Sequence, residues 1–344
     1  MSPARARPPN CPGRQRTATT GPTRSKAART PTPCLPPSGT KALPRDGLYT
    51  PIADRNPERG MIARLPVDEL TDSQFEEISR LVKTLCGINL HSGKRELVRA
   101  RLTRRLRDLG LGSFDLYLQR LRADDGDEIV ALLDALSTNL TRFFREPIHF
   151  DILQQRIAQR LDAAPDGPLQ IWSAGCSSGE EPYSIAIRLL EAFGQEGCKN
   201  ARILATDLST RVMATAREGV YPRTRLEDMD RTLVSRYFTA VRAGDERRYR
   251  VCDRVRRLVH FARLNLMDQW PMSGPFSVIM CRNVMIYFDK PTQQSLINRF
   301  WDLLRPGGIL FIGHSESLTG VTHRFQYVQP TVYEKPQAES GVHA

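Results

Sequence analysis

Residues 171–184 read Ile171-Trp172-Ser173-Ala174-Gly175-Cys176-Ser177-Ser178-Gly179-Glu180-Glu181-Pro182-Tyr183-Ser184. A short apolar run (Leu169, Ile171, Trp172) gives way to small residues around Gly175 and Gly179. A helical pattern follows, with Pro182 placed for its first turn. Strand, glycine turn and helix open a nucleotide-binding α/β sheet. Small residues let a ligand lie on bare backbone near the partly positive start of a helix. Here the turn ends in Glu180 and Glu181. Two carboxylates repel a pyrophosphate but suit a ligand with an ammonium or hydroxyl groups. S-adenosylmethionine (SAM) has both and lacks phosphate.

The same alternation continues down the chain. Strands are expected at Leu169–Ser173, Arg202–Thr206, Val259–Ala262, Ser277–Cys281 and Ile309–Gly313, and helices near Pro182, Ser209 and Pro291. A closing hairpin is expected around Phe325–Val328 and Val332–Lys335. This order predicts an α/β fold, a mostly parallel sheet with helices on both faces. The stretch 231–258 interrupts it with charged and β-branched residues (Arg247-Arg-Tyr-Arg-Val) and reads as a small antiparallel β insertion. Leu303-Leu-Arg-Pro-Gly-Gly reads as a tight turn before the next strand.

Upstream the period is helical. Thr71 or Asp72 caps a helix carrying Phe75, Ile78, Leu81, Val82 and Leu85 that stops at Gly87. A second helix is expected over about 92–109, a third after Ser113 and a fourth over about 127–136. Short loops between amphipathic helices make a small all-α bundle.

Residues 1–60 hold half of the 24 prolines, and their eleven Lys/Arg against three Asp/Glu supply +8 of the net charge of +12. They bury no core and are expected to be disordered. They read either as a basic tail touching acidic surfaces or as an upstream extension before Met61, where a globular pattern begins. The division is therefore 1–65 tail, 66–140 helical domain, 141–337 α/β domain, and 338–344 a second short tail. No run approaches the roughly 18 apolar residues of a membrane span, and the start lacks an apolar secretory core. A cytoplasmic location is expected. The seven cysteines lack metal-type spacing and read as thiols. No metal is expected.

Several polar residues fall where a sheet of this kind binds ligands, beyond the carboxyl ends of its strands. Asp207 follows the second strand, placed either for ribose hydroxyls or as a helix cap. Asn139, Thr141 and Arg145 lie in Thr138-Asn-Leu-Thr-Arg-Phe-Phe-Arg-Glu-Pro, where Arg145 and Glu146 can also form a plain surface pair. Asn265-Leu266 either closes a turn or meets the adenine end of a ligand. Arg282, Asn283 and Tyr287 follow another buried strand. The second bundle helix is basic. Lys94, Arg101 and Arg105 share one face with Arg104 near its edge, and only Glu96 and Asp108 offer local pairing. An acidic partner fits that face.

Across about residues 70–335 the sequence resembles the chemotaxis-receptor protein-glutamate O-methyltransferases, the CheR family. The resemblance is carried by 138–146, 172–184, Ala205-Thr-Asp-Leu-Ser, Cys281-Arg-Asn-Val-Met-Ile-Tyr-Phe-Asp and Gly313-His-Ser-Glu-Ser, in that order. It implies a helical N-terminal domain joined to a Rossmann-like SAM-dependent methyltransferase domain. It implies SAM contacts from Asn139, Thr141, Arg145, the Glu180/Glu181 pair, Asp207, Asn265, Leu266, Arg282 and Asn283, with S-adenosylhomocysteine (SAH) as product. The implied substrates are glutamates on the cytoplasmic helices of chemoreceptors, docked by the basic helix. A glutamate is ionised at neutral pH and needs no general base, so Arg282 and Tyr287 are expected to orient it. Relatives that tether to a receptor's C-terminal pentapeptide share a glycine-rich turn in the β insertion. Val241-Arg-Ala-Gly-Asp-Glu-Arg-Arg-Tyr-Arg-Val has one glycine there, so no tether is expected. A monomer is expected, and no nucleic-acid partner. The rival readings are a SAM enzyme acting on RNA or a small molecule, and a SAM-binding sensor without catalysis.

Overall fold

The computed structural model describes residues 66–337, apart from 125, 164–166 and 245. Both expected tails lie outside the described residues. The chain opens with four helices, α1 (Asp72–Cys86), α2 (Arg95–Asp108), α3 (Phe114–Ala123) and α4 (Asp127–Leu136). A capping box starts α1: the Thr71 hydroxyl accepts from the Gln74 amide, and the Gln74 side chain accepts from the Thr71 amide. Gly87 ends α1 in the left-handed conformation at φ 75°. The expected helix from 92 is instead a 3₁₀ turn at Ser92–Lys94 followed by α2. Ile78, Val82, Val98, Leu102, Leu106, Phe114 and Tyr117 form the buried core of the bundle.

A fifth helix not anticipated above, α5 (Ile148–Ala163), leads into the sheet. The succession then runs β1 (Leu169–Ala174), α6 (Glu180–Gly197), β2 (Ala201–Asp207), α7 (Thr210–Glu218), β3 (Val220–Pro222), α8 (Arg231–Tyr237), β4 (Phe238–Ala243), β5 (Glu246–Val251), α9 (Asp253–Arg256), β6 (Val259–Arg263), β7 (Phe276–Cys281), α10 (Lys290–Leu303), β8 (Leu304–Ile312), β9 (Gln326–Gln329) and β10 (Val332–Glu334). Seven strands make one sheet in the order β6-β2-β1-β7-β8-β10-β9. Strands β6, β2, β1, β7 and β8 are parallel; β10 and β9 close the edge antiparallel.

Two expectations need correction. The insertion is a separate three-stranded sheet, β3-β5-β4, that recruits Val220–Pro222 from before residue 231 and begins its own segment with a helix, α8. The Pro-Gly-Gly stretch does not precede β8 but lies inside it: Leu304 already pairs with Phe276, and the register slips before Val278 meets Ile309. Gly307, at φ 71°, absorbs that irregularity.

Chain order reverses at β1, which has β2 on one side and β7 on the other. Such a switch point opens a crevice at the carboxyl ends of the strands. The bundle is fastened over that end. The Asn89 amide donates to the Tyr287 carbonyl at 2.7 Å, Lys83 pairs with Asp289 at 2.7 Å, and Asn265 Nδ2 donates to the Leu85 carbonyl at 2.6 Å.

Candidate active site

A cleft partly open to solvent occupies the switch point, with walls from the bundle as well as the sheet. Its floor is the β1–α6 turn. Gly175 has φ 83°, and a Cβ there would lie 2.4 Å from the Val284 side chain, so no other residue fits. Four amides of this turn are already engaged. Gly175 and Cys176 donate to the Thr206 carbonyl, Ser177 to Asp207 Oδ2 at 2.8 Å, and Gly179 to the Cys176 carbonyl. They do not form a phosphate cradle.

Asp207 ends β2 and lines the cleft. Its two oxygens accept from the amides of Ser177 and Ser209, which fixes the carboxylate against the turn. Burial pushes its pKa up, and those amides pull it partly back. Ser209, not Asp207, caps α7.

The two glutamates part company. Glu180 is fully buried behind the turn, accepting from the Ser178 hydroxyl at 2.6 Å and lying 3.4 Å from Arg225. Glu181 lines the cleft, accepting from the Ser173 hydroxyl at 2.7 Å and from Arg282 at 3.1 Å. Burial raises the pKa of both; for Glu181 the Arg282 charge opposes the rise.

Arg282 is the hub. Its side chain is 1% exposed, and four hydrogen bonds engage its guanidinium. It donates to Glu181, twice to Glu146 (3.0 and 3.3 Å) and to the Arg145 carbonyl. Protein acceptors take most of its donors, which leaves little of the guanidinium for an incoming substrate carboxylate. Glu146, whose alternative reading is a surface pair with Arg145, is buried, and Arg145 Nε lies 3.9 Å from it. Burial favours the protonated Glu146, but the Arg282 charge and hydrogen bonds and the His314 amide outweigh it and hold its pKa below the usual value. His149 and His314 bring ligand-type nitrogens near Glu146, but that carboxylate is occupied by Arg282. Burial first, and then Arg282, push the His149 pKa down to about 4.

The remaining expected residues also converge. Asn139, Thr141 and Arg145 line the cleft from the 138–145 segment, which runs from α4 to α5. Asn139 Nδ2 donates to the Ser137 hydroxyl at 3.0 Å, and Arg145 Nη1 to the Leu140 carbonyl at 2.9 Å. Asn265 and Leu266 line the opposite wall, but the Asn265 side chain closes a turn, accepting from the Met267 amide at 3.1 Å. Asn283, at φ 60°, and Tyr287 follow β7. Sequence reasoning passed over Glu316, a buried carboxylate that accepts from the amides of Asn283 (2.9 Å), Ile286 (3.2 Å) and Gly313, and so shapes the loop bearing Tyr287. Its only signal was a lone acid inside a motif after a strand.

The basic helix is less available than its sequence suggests. Arg105 grips Glu128 of α4 in a two-pronged pair (2.9 and 2.6 Å), and Arg101 donates to the carbonyls of Leu136 (2.7 Å) and Ser137 (3.0 Å) at the end of α4. Both residues thus tie the bundle together while staying partly exposed on the basic face. Lys94 lies 5.2 Å from the Tyr287 ring centre, at the cleft. Arg104 is exposed and makes no ion pair among the described residues.

The lining fits SAM by its donor set. Glu181 and Asp207 supply negative charge and diol acceptors, and the amides of Gly175, Cys176, Ser177 and Gly179 are already taken. Together with the parallel sheet and its switch point, this defines a SAM-dependent methyltransferase. Comparison with known proteins names the family. The model of the CheR methyltransferase SAM-binding domain matches residues 139–334, and that of the CheR all-alpha domain matches 73–137. Chemotaxis protein methyltransferase 2 of Pseudomonas aeruginosa is 44% identical over 264 residues, 76% of this chain and 93% of that protein. The chemotaxis protein methyltransferase of Klebsiella aerogenes is 42% identical, covering 79% and 92%. That of Escherichia coli is 41% identical, covering 77% and 91%. The chain belongs to the CheR methyltransferase family.

Proposed function

We propose that this protein methylates glutamate side chains on the cytoplasmic helices of chemoreceptors, forming glutamyl methyl esters and leaving SAH, and that it works in the cytoplasm as a monomer. Among the described residues, no helix is long and apolar enough to cross a membrane. The observation that best supports the reading is the make-up of the cleft. Its described lining holds no histidine, its carboxylates Glu181 and Asp207 are already hydrogen-bonded, and burial pushes the Cys86 thiol up to about 11. Such a site lacks a general base and a thiolate nucleophile. It suits an acceptor that is already an anion, as a glutamate is at neutral pH.

Bound SAM supplies an electrophilic methyl group on a sulfonium. The chain's part is placement and exclusion of water. Asp207 takes the ribose hydroxyls and Glu181 the positive end. Asn139, Thr141, Asn283 and the Asn265-Leu266 segment complete the enclosure. Tyr287 and Arg145 line the same cleft and are assigned to orient the substrate carboxylate, with Arg282 holding Glu181 in place. Lys94, Arg101, Arg105 and the exposed Arg104 give the bundle a basic face to meet an acidic receptor helix, favouring encounter more than tight binding.

The test is transfer from labelled SAM to membranes carrying the organism's own chemoreceptors. Base-labile label released as methanol, mapping to receptor glutamates, is expected. Base-stable label on RNA, or SAM binding without transfer to any receptor, would overturn the reading. A calorimetric titration with a receptor C-terminal pentapeptide is expected to show no micromolar binding. The β4–β5 turn has one glycine, Gly244 at φ 60°, between strands rich in arginine. It lacks the run of bare backbone that lets a peptide approach closely.

A further inference from the structure

We infer, building on the reading that chemoreceptor glutamates are the acceptors, that Leu140, flanked by Leu97 and Ile286, forms an apolar rim at the cleft mouth. This rim selects a target glutamate by the apolar side chain one helical turn away from it on the receptor.

Leu140 lines the cleft, yet it is 77% exposed. It does not sit out because its segment is loose. Three successive carbonyls there are held by three separate side chains. The Ser177 hydroxyl donates to the Asn139 carbonyl, Arg145 Nη1 to that of Leu140 and Arg225 Nη1 to that of Thr141, each at 2.9 Å. Three residues on, Phe143 is buried and packs edge-on against Tyr221 and Phe238. The segment thus buries one large apolar side chain and holds another out beside the cleft.

A single exposed leucine is ordinary on a protein surface; its placement makes this one informative. Six large apolar side chains are exposed among the described residues, and three of them belong to the walls of this opening or adjoin them. Ile286, 47% exposed, immediately precedes the cleft-lining Tyr287. Leu97, 41% exposed, follows Lys94 by three residues and precedes Arg101 by four, so it shares their face of α2. Lys94 lies over the Tyr287 ring, and Arg101 donates to the hydroxyl of the cleft-lining Thr138 at 3.2 Å. That face therefore borders the mouth at two places. Arg142 adds a further cation to the lining, paired with Asp228 at 3.3 Å.

Apolar side chains set among cations fit a helix that carries a glutamate and, three or four residues away, an apolar residue on the same face. The two kinds of contact act over different ranges. Attraction between exposed charges extends about 8 Å at physiological salt, more than the roughly 5.4 Å between successive turns of a helix. It gathers acidic helices without separating one glutamate from the next turn. An apolar contact is lost beyond about 4.5 Å. It forms only when the correct residue faces the rim, which places one glutamate and not its neighbour over the cleft.

The test follows transfer from labelled SAM over a range of receptor concentrations, with the full chain and with Leu140→Gln. The receptor KM is expected to rise about 5- to 10-fold, the loss of a partly buried leucine contact, while kcat and calorimetric SAM affinity stay within about twofold. An unchanged KM would overturn the inference. So would a matching fall in SAM affinity, which would assign Leu140 to the cofactor instead. Should Leu140→Gln fail to fold, Ile286→Gln reads the same rim by the same split between KM and kcat. Selection itself is read on the receptor. Once the esterified glutamates are mapped, the apolar residue one turn from one of them is replaced by glutamine. Wild type is expected to lose about 5- to 10-fold in KM at that site and Leu140→Gln no more than about twofold. Equal losses in both proteins would show that the two side chains do not meet. Wild-type enzyme that methylates no receptor would overturn the reading of the substrate, and the rim with it; normal wild-type transfer beside unaltered Leu140→Gln kinetics removes the rim alone.

Discussion

Replacing Arg282 with alanine is expected to cost about 3–5 kcal/mol of stability, the usual price of removing one partner from a buried ion pair. In a domain of this size that lowers Tm by roughly 10 °C. The change leaves Glu146 and Glu181 facing each other with no cation between them, and strips the Arg145 carbonyl of its donor. The pH dependence has a definite sign. Without Arg282, burial and mutual repulsion raise both folded-state carboxyl pKa values above their unfolded values. The folded variant then binds more protons than the unfolded chain, so its stability falls as pH rises through that range. The deficit should be largest near pH 8 and should shrink toward pH 5.5, read by thermal unfolding of both proteins at each pH. Arg282→Lys keeps the charge but not the fork that reaches three acceptors, and is expected to recover only part of the loss. An Arg282→Ala protein as stable as wild type at pH 8 would show that the network is not what holds β7 to the 138–147 segment.

That network marks the limit of what the sequence disclosed. The β1 strand, its glycine turn and α6 were legible because their signals are local: an apolar run, Gly175 and Gly179 at positive φ, and a proline in the first helical turn. The starts of α1 and α7 were legible too, but not which residue caps each: Thr71 rather than Asp72, and Ser209 rather than Asp207. Helix α5 has a readable period at Phe150, Leu153 and Ile157. The stretch before it does not, because Phe144 and Glu146 take positive φ under tertiary constraint. Most of the expected site residues do line the cleft, and they were legible as a set, since strand ends in a parallel sheet converge. Their division of labour was not. Which glutamate faces the cleft depends on where α6 starts relative to β1. Arg282 meets Glu146 across 136 residues and Arg105 meets Glu128 across 23, separations that no helical or strand period encodes. For the same reason the charged face of α2 looked free: its partners come from α4.

Adjacent glutamates offer the sharpest test of the cofactor assignment. Glu181→Gln is expected to weaken SAM binding about tenfold, as loss of a charge-assisted contact in a partly buried site does. The glutamine keeps the volume but turns an amide donor toward Arg282, which has no use for one. Glu180→Gln is expected to leave SAM affinity within about threefold. Glu180 does not line the cleft, and its pKa, raised by burial, makes a neutral side chain tolerable there. Titration separates the two further. The groups acting on Glu181 are Arg282, the Ser173 hydroxyl, Glu146 and Arg145, and burial outweighs the cations among them, leaving its pKa raised. A cation binds better to the ionised form. Wild-type affinity for SAM should therefore fall as pH drops through that raised pKa, beginning above the range of an ordinary glutamate, while the Glu181→Gln profile stays flatter over the same interval. Calorimetry from pH 5 to pH 8 reads both curves. Equal SAM affinity in wild type and Glu181→Gln, or parallel pH profiles, would remove Glu181 from the site, and with it the charge that suits this cleft to a sulfonium.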